Sequence, residues 1–322
     1  MKAWRYNKET GEFGLKDNVP VPEPGPGEFR LKVMAAGMCG SDVTTVNHGF
    51  DDIVKQVPVT LGHEIAGIVD KVGKSPKADI KVGDHVVLNL NGLIDTPGFA
   101  IDGGYAPYCI GFADDSGFIK MPQGVSFEQA AVSTDAGSTA YHAVIDRGKV
   151  KAGMKVGIIG LGGLGSQGAR FAVLSGADVY AAEPKDDVRN NAVSELGVKA
   201  AVSDAKELAQ FKPQVIVDYA GFGTTTSSAL QAVAPGGRVV QVGLGKVPFT
   251  FNPMLLMLSG AEYVGSMGST KEDNENVLKY LGQGKVKPKL QEISFDQIGE
   301  GLELLKAGKV EGRLVVNYEK HL

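Results

Sequence analysis

Only two of the 322 residues are cysteine, Cys39 and Cys109, and so few thiols in so long a chain exclude a disulfide scaffold. A reducing compartment, the cytoplasm, is the expectation. No apolar stretch approaches the roughly 20 residues of a membrane span, and the opening MKAWRYNKETGEF is polar and mixed, so no secretory leader is expected. Blocks of one charge are also missing. The net charge is −4, with Lys and Arg interspersed among Asp and Glu, which favours neither nucleic-acid phosphates nor an anionic membrane surface. Small-molecule partners are expected instead. Aromatic residues are scarce at 7%, whereas glycine is abundant at 44 residues. That balance, in a chain longer than a single core usually serves, fits an α/β enzyme of two domains.

Two groups of residues carry chemistry. The first is Cys39 in CGSD, His63 in GHEIAGIVDKVG and Asp135 in STDAGST. Thiolate, imidazole and carboxylate are good zinc ligands, and three protein ligands leave one tetrahedral position open for water or substrate. The competing reading of His63 is a satisfied core or turn histidine. That of Asp135 is a helix cap, because DAGSTAYHAV reads as the start of a helix. The second group is the run KVGIIGLGGLGSQGARF, where Gly160, Gly162 and Gly165 take the spacing G-x-G-x-x-G between an apolar strand and a helical pattern. Glu183 follows about twenty residues on, where a carboxylate accepts from ribose hydroxyls and repels a 2′-phosphate. NAD is therefore expected over NADP, although Lys185 and Arg189 stand nearby. Metal and dinucleotide together suggest hydride transfer.

The organisation agrees with two domains. Residues 1–138 read as short strands between Gly and Pro turns, a twisted β-barrel with loops. Residues 139–270 alternate strand and helix, the pattern of βαβ units on a parallel sheet. Residues 271–322 hold two amphipathic helices and a strand, too little to fold alone.

Over nearly its whole length, the chain resembles the zinc-dependent medium-chain alcohol dehydrogenases. The resemblance is carried by CGSD, GHEIAGIVDKVG, KVGDHV, STDAGSTAYHAV, GLGGLG, PGGRVVQVGLG, GKVKP and EGRLVV, in the family's order. It is strongest to the secondary-alcohol dehydrogenases and ketone reductases with Asp as third zinc ligand. The resemblance implies a GroES-like catalytic domain, 1–138 with 271–322, and a Rossmann domain, 139–270, with the active site in the cleft between them. It implies reversible hydride transfer between NAD(H) and secondary alcohols or ketones. A zinc-independent reductase of activated double bonds and a non-catalytic nucleotide-binding protein are the alternatives, and neither needs the ligand set.

The resemblance also distributes roles. Cys39, His63 and Asp135 would hold zinc, with Glu64 either a fourth ligand or standing behind them. Asp42 would orient His63, and Ser41 would pass on the alcohol proton. Where relatives often continue that relay with His, this chain has Thr44, so His48 is the substitute candidate or else an exposed loop histidine. The dinucleotide would lie along Gly160, Leu161, Gly162, Gly163, Leu164 and Gly165, with Thr139 against the nicotinamide. Val242, Gly243 and Leu244 would flank its ribose and amide, Gly265, Ser266 and Met267 its ring, and Arg313 the pyrophosphate. Phe50, Leu88, Asn89, Tyr108 and Ser138, with Met267, would line the substrate pocket. Many relatives carry a four-cysteine lobe for a second, structural zinc. Here the stretch NLNGLIDTPGFAIDGGYAPYC has only Cys109, so one zinc per chain is expected. The apolar segment FTFNPMLLMLSG near a sheet edge suggests pairing with another subunit, giving a homodimer or homotetramer.

Overall fold

The computed structural model describes residues 1–90 and 95–319; residues 91–94 of the shortened lobe fall outside. The chain forms two compact units, Met1–Ala136 with Thr270–Leu322, and Gly137–Ser269.

In the first unit the long strand Glu28–Met38 is the organiser. It pairs antiparallel with Glu64–Val72, with Tyr108–Phe112 and with Arg313–Asn317, and the last of these brings the C-terminal part of the chain into the same seven-stranded sheet. Register shifts occur between Arg30 and Leu31 and between Val33 and Ala35. Such irregularities bend a strand and let a sheet curl. Phe29, Leu31 and Val33 alternate inward and pack with Tyr6, Ile65, Val86, Leu88, Leu314 and Val316 in one apolar core. A smaller antiparallel sheet joins Glu12–Lys16, Ala3–Asn7 and Val59–Thr60.

The second unit holds six parallel strands from Lys155–Ile159 to Glu262–Gly265. Counted 1 to 6 along the chain, they lie in the order 3-2-1-4-5-6, the doubly wound arrangement. The central strands Lys155–Ile159 and Val215–Asp218 are apolar almost throughout, as expected where helices cover both faces of a sheet. At the end of the first strand, Gly160 takes φ +82° and turns the chain into the helix Gly165–Leu174. A Cβ on Gly165 would stand 1.8 Å from the Gly160 carbonyl oxygen, so only glycine permits this contact of helix and strand.

Among the described residues, no helix is long and apolar enough to cross a membrane.

Candidate active site

In the first unit, four side chains separated by up to 96 residues converge. Ligand atoms of Cys39, His63, Glu64 and Asp135 all lie within 4.8 Å of one another. Cys39 ends the organising strand and is the N-cap of the short helix Gly40–Val46; His63 and Glu64 open the strand Glu64–Val72. Asp135 is reached differently. The helix here begins at Phe127, capped by Ser126, whose hydroxyl accepts from the Gln129 N–H. Asp135 lies in the π-turn Ser133–Gly137 that continues this helix, so the helix starts well before Asp135 rather than at it as expected, and the competing cap reading falls. A π-turn inserts one residue into the helical repeat, a distortion frequent where a helix serves a site.

The cluster is dry. Cys39, His63 and Glu64 are buried, and Asp135 is partly so. The Cys39 sulfur and the Asp135 Oδ2 are 3.4 Å apart, and His63 Nε2 is 3.5 Å from the same oxygen. Tetrahedral zinc with bonds of about 2.0–2.3 Å has ligand-to-ligand edges of about 3.3–3.6 Å, so these spacings fit the ion. The charges fit as well. Asp42, Glu64 and Asp135 gather around the thiol, while Arg313 is the buried cation that meets Glu64. Buried negative charge in excess needs a counter-cation. Burial alone would lower the His63 pKa. Asp42, together with hydrogen bonds to Asp135 and Cys39, outweighs it and holds the imidazole well above its ordinary value. A proton there partly supplies the positive charge that a metal would bring.

Behind the ligands is a second set of contacts. The fully buried Asp42 carboxylate accepts from the Cys39 N–H at 2.9 Å and from the Tyr105 hydroxyl at 2.8 Å, and stands 3.2 Å from His63 Nδ1. This fixes the ring with Nε2 toward the cluster. Burial first, then Asp42, pushes the Tyr105 phenol well above its usual pKa, so it remains a donor. Sequence reasoning missed Tyr105; its GGY turn carries no ligand spacing, and only the fold brings it to Asp42. Glu64 Oε1 accepts from Arg313 and from the Ala136 N–H of the π-turn, whereas Oε2 is buried against Gly37 with no hydrogen-bond partner among the described residues. A Cβ on Gly37 would meet that oxygen at 1.9 Å. A buried carboxylate oxygen left over beside three ligand candidates fits a site that takes a cation.

The other expected residues divide. The Ser41 hydroxyl lies 3.5 Å from the Cys39 sulfur. Thr44 donates its hydroxyl to the Gly40 carbonyl on its own helix. His48 is turned to Tyr6 and Asp51. Phe50 meets Phe99, whose ring packs on His63 at 4.9 Å. One pocket assignment needs correction, and two others have partners of their own. Leu88 is sealed in the barrel core, because its side of the strand His85–Leu88 faces inward. Asn89 donates to the Ser116 carbonyl and ties a loop. The Tyr108 ring lies under the Arg30 guanidinium, 5.3 Å away. Arg313 sits in the core strand Arg313–Asn317 of the first unit and pairs with Glu64.

In the second unit the glycine loop runs from Gly160 through Leu161, Gly162, Gly163 and Leu164 into the helix at Gly165. A Cβ on Gly162 would point into open space, a cradle that a side chain would fill and a pyrophosphate can use. Glu183 ends the second strand nearly buried, accepting from the Leu161 N–H at 2.8 Å and the Lys185 N–H at 3.0 Å. Arg189 is occupied by the carbonyls of Glu183 and Pro184 and by Asp186. Val242 and Gly243 follow the fifth strand and donate to the Asp218 carbonyl, and Leu244 is exposed beyond them. Gly265 ends the sixth strand; the buried Ser266 hydroxyl has no partner among the described residues, and Met267 is exposed. Thr139 and Ser138 open a helix, with Ser138 accepting from the Ser269 hydroxyl at 2.8 Å.

Comparison with known proteins agrees with both halves. Residues 25–133 match the alcohol dehydrogenase GroES-like domain, and residues 163–283 match the zinc-binding dehydrogenase family. An alcohol dehydrogenase of Geobacillus stearothermophilus is 30% identical over 350 aligned residues, covering 99% of this chain and all of that protein. Acetophenone reductase from Geotrichum candidum, solved in complex with NAD, superposes with a TM-score of 0.87 at 29% identity, covering 100% of this chain and 98% of the other. The 2R,3R-butanediol dehydrogenase of Bacillus subtilis gives 0.83 at 25% identity, over 98% and 99%.

Proposed function

The chain belongs to the zinc-dependent medium-chain alcohol dehydrogenase family, an oxidoreductase acting on CH–OH, and from that premise we infer that it interconverts secondary alcohols and ketones with NAD(H) and one catalytic zinc. The observation that carries this reading is the convergence of Cys39, His63 and Asp135 at zinc-like spacing, with Asp42 behind the imidazole.

Zinc supplies a Lewis acid for the substrate oxygen, and NAD supplies the hydride acceptor, when both are bound. The chain's own residues do the rest. Cys39, His63 and Asp135 hold the ion, and Asp42 fixes the His63 tautomer by taking its Nδ1 proton in a hydrogen bond. Glu64 stays behind the ligands, bound to Arg313 and bracing the π-turn through Ala136. Ser41, beside the Cys39 sulfur, would accept the proton of the alcohol oxygen while releasing its own hydroxyl proton to water. Phe99 covers one face of His63 and keeps water from it. In the second unit the glycine loop receives the pyrophosphate. Glu183 receives the ribose hydroxyls and repels a 2′-phosphate, which Arg189, tied to backbone carbonyls and Asp186, does not rescue. Asp135 in place of a neutral or thiolate third ligand, with apolar Phe50 nearby, suits uncharged ketones.

The free thiols of Cys39 and Cys109 support a reducing, cytoplasmic setting. A homodimer through the sheet edge is supported by the edge strand Glu262–Gly265 and by the preceding helix Pro253–Ser259, whose Met254, Met257 and Leu258 are all exposed.

The test is oxidation of NADH and NADPH by a panel of dialkyl and aryl alkyl ketones, alongside zinc analysis of the purified protein. Turnover with NADH and about one zinc per chain is the expected result. Metal-free activity on activated double bonds, or zinc without turnover of any ketone, overturns the reading.

A further inference from the structure

Two loops of the first unit each bring a phenylalanine toward His63. Phe99 packs on the imidazole, and Phe50 meets Phe99 edge to face with centroids 6.4 Å apart. Phe50 lies past the end of the helix Gly40–Val46, in a stretch that belongs to neither sheet. Locally its carbonyl accepts from the N–H groups of Ile53 at 3.0 Å and Val54 at 3.3 Å, and the Gly49 N–H before it closes on the Thr44 carbonyl at 2.9 Å. Tertiary fastenings add to these turns.

Those fastenings are polar and lie on either side of it. One residue on, Asp51 accepts from the hydroxyl of the fully buried Tyr6 at 2.9 Å through Oδ1, and its Oδ2 lies 2.7 Å from His48 Nδ1. Two residues back, that same Nδ1 is 3.1 Å from the Tyr6 oxygen, closing a triangle around Phe50. Lys8 adds bonds to the Asp51 and Val54 carbonyls, at 3.0 and 2.6 Å. His48 itself sits at φ +64°, a left-handed conformation that non-glycine residues keep only when their surroundings impose it. The far end of the stretch is tied to the loop of Phe99. Asp102 accepts from Gln56 at 2.9 Å and from the Thr60 N–H at 2.6 Å, and the Lys55 N–H reaches the Phe99 carbonyl at 3.3 Å.

We propose that Tyr6, Asp51 and His48 form a lock that holds Phe50 against Phe99 and thereby selects for the larger substituent of the ketone, an inference that rests on the ketone-reductase reading above. The three are positioning residues. An edge-to-face aromatic pair is a two-sided apolar wall, the face of one ring beside the edge of the other, which rewards an aryl group that stacks on it and is indifferent to a methyl. Freed from the lock, Phe50 can swing and the wall is lost. The geometry also separates this role from a proton relay. His48 spends Nδ1 on Asp51 and Tyr6, and its Nε2 lies against Gly11 in the turn between the strands Ala3–Asn7 and Glu12–Lys16, where an added Cβ would meet it at 3.0 Å. The charged and titratable groups around His48 are Asp51 on its own stretch and Tyr6 on the neighbouring strand, with Lys8 engaged on the Asp51 carbonyl.

The test uses Tyr6→Phe and Asp51→Asn in the zinc-loaded protein, with acetophenone and acetone as the two ketones. The lock requires KM for acetophenone to rise about fivefold, the size of one lost aromatic pairing, with kcat within about twofold and KM for acetone unchanged. Hydrogen–deuterium exchange, read without substrate, must rise across residues 47–56 in both variants. His48→Gln must reproduce the KM split and leave the pH profile of kcat where it was. Equal KM changes for both ketones, unchanged exchange, or a shifted pH profile in His48→Gln would each overturn the lock, the last in favour of a relay. If the wild type turns over neither ketone, the functional reading fails, and the exchange result alone decides whether the lock exists.

Discussion

Tyr105→Phe removes one oxygen from the interior and leaves the ring in place, so its effect can be worked from three contacts. The Asp42 carboxylate holds the Cys39 N–H, the Tyr105 hydroxyl and the His63 ring. Losing a hydrogen bond to a buried charged group costs about 1.5–3 kcal/mol. The cavity left by one hydroxyl is too small to admit a compensating water. Part of this cost falls on the fold, because the bond exists without metal. At about 2–4 °C per kcal/mol for a unit of this size, the melting temperature should drop by about 5 °C. The rest falls on the metal, because Asp42 is then free to rotate away from His63 Nδ1. Loss of such a supporting contact lowers metal affinity by about 10–100-fold, and Tyr105→Phe should lie at the low end because two of the three contacts remain. The assay is zinc affinity by chelator competition, with melting temperatures of loaded and stripped protein, in a cycle with Asp42→Asn. If the Tyr105 hydroxyl acts through Asp42, the double variant should lose little more than Asp42→Asn alone. Additive losses, or a Tyr105→Phe variant with wild-type affinity and melting temperature, would refute the reasoning.

Arg313→Met should destabilise the first unit by about 3–5 kcal/mol, because Glu64 is left buried and uncompensated; denaturant unfolding should show part of the loss restored by adding Glu64→Gln. Burial pushes the Cys109 thiol from the ordinary 9.0 up to about 12. The folded state then keeps a proton that the unfolded state releases, so this group's contribution is intact below pH 9 and is lost as pH rises toward 12. A thiol reagent at pH 8 should accordingly reach Cys109 only after unfolding, and rapid native labelling of Cys109 would contradict its burial. If the proposed subunit contact uses this helix, replacing both Met257 and Leu258, each 80% exposed, with Asp should leave only monomer in sedimentation without loss of zinc.

Sequence legibility followed the kind of signal. The parallel sheet was readable because strands buried on both faces are continuous apolar runs, and the glycine loop because its spacing is fixed by backbone geometry at Gly160 and Gly165. The strands Ala3–Asn7 and Glu12–Lys16 were not readable, since AWRYN and EFGLK mix charged and apolar residues on a partly exposed hairpin. In the site, Cys39, His63 and Asp135 carry motif spacing, whereas Tyr105 and the Glu64–Arg313 pair come from segments that meet only in space. Leu88 went astray for a related reason. Position beside a motif does not tell which face of a strand a side chain occupies, and this one turns into the core. Asp135 was placed at a helix start because a π-turn has no compositional mark.

The central claim is that Asp135 completes a catalytic metal site with Cys39 and His63. Its most direct test is zinc content and NADH-dependent ketone reduction measured together on the wild type and on Asp135→Ala. The account predicts about one zinc per chain and turnover in the wild type, with metal and rate falling together in the variant. A variant that keeps both zinc and rate would contradict it.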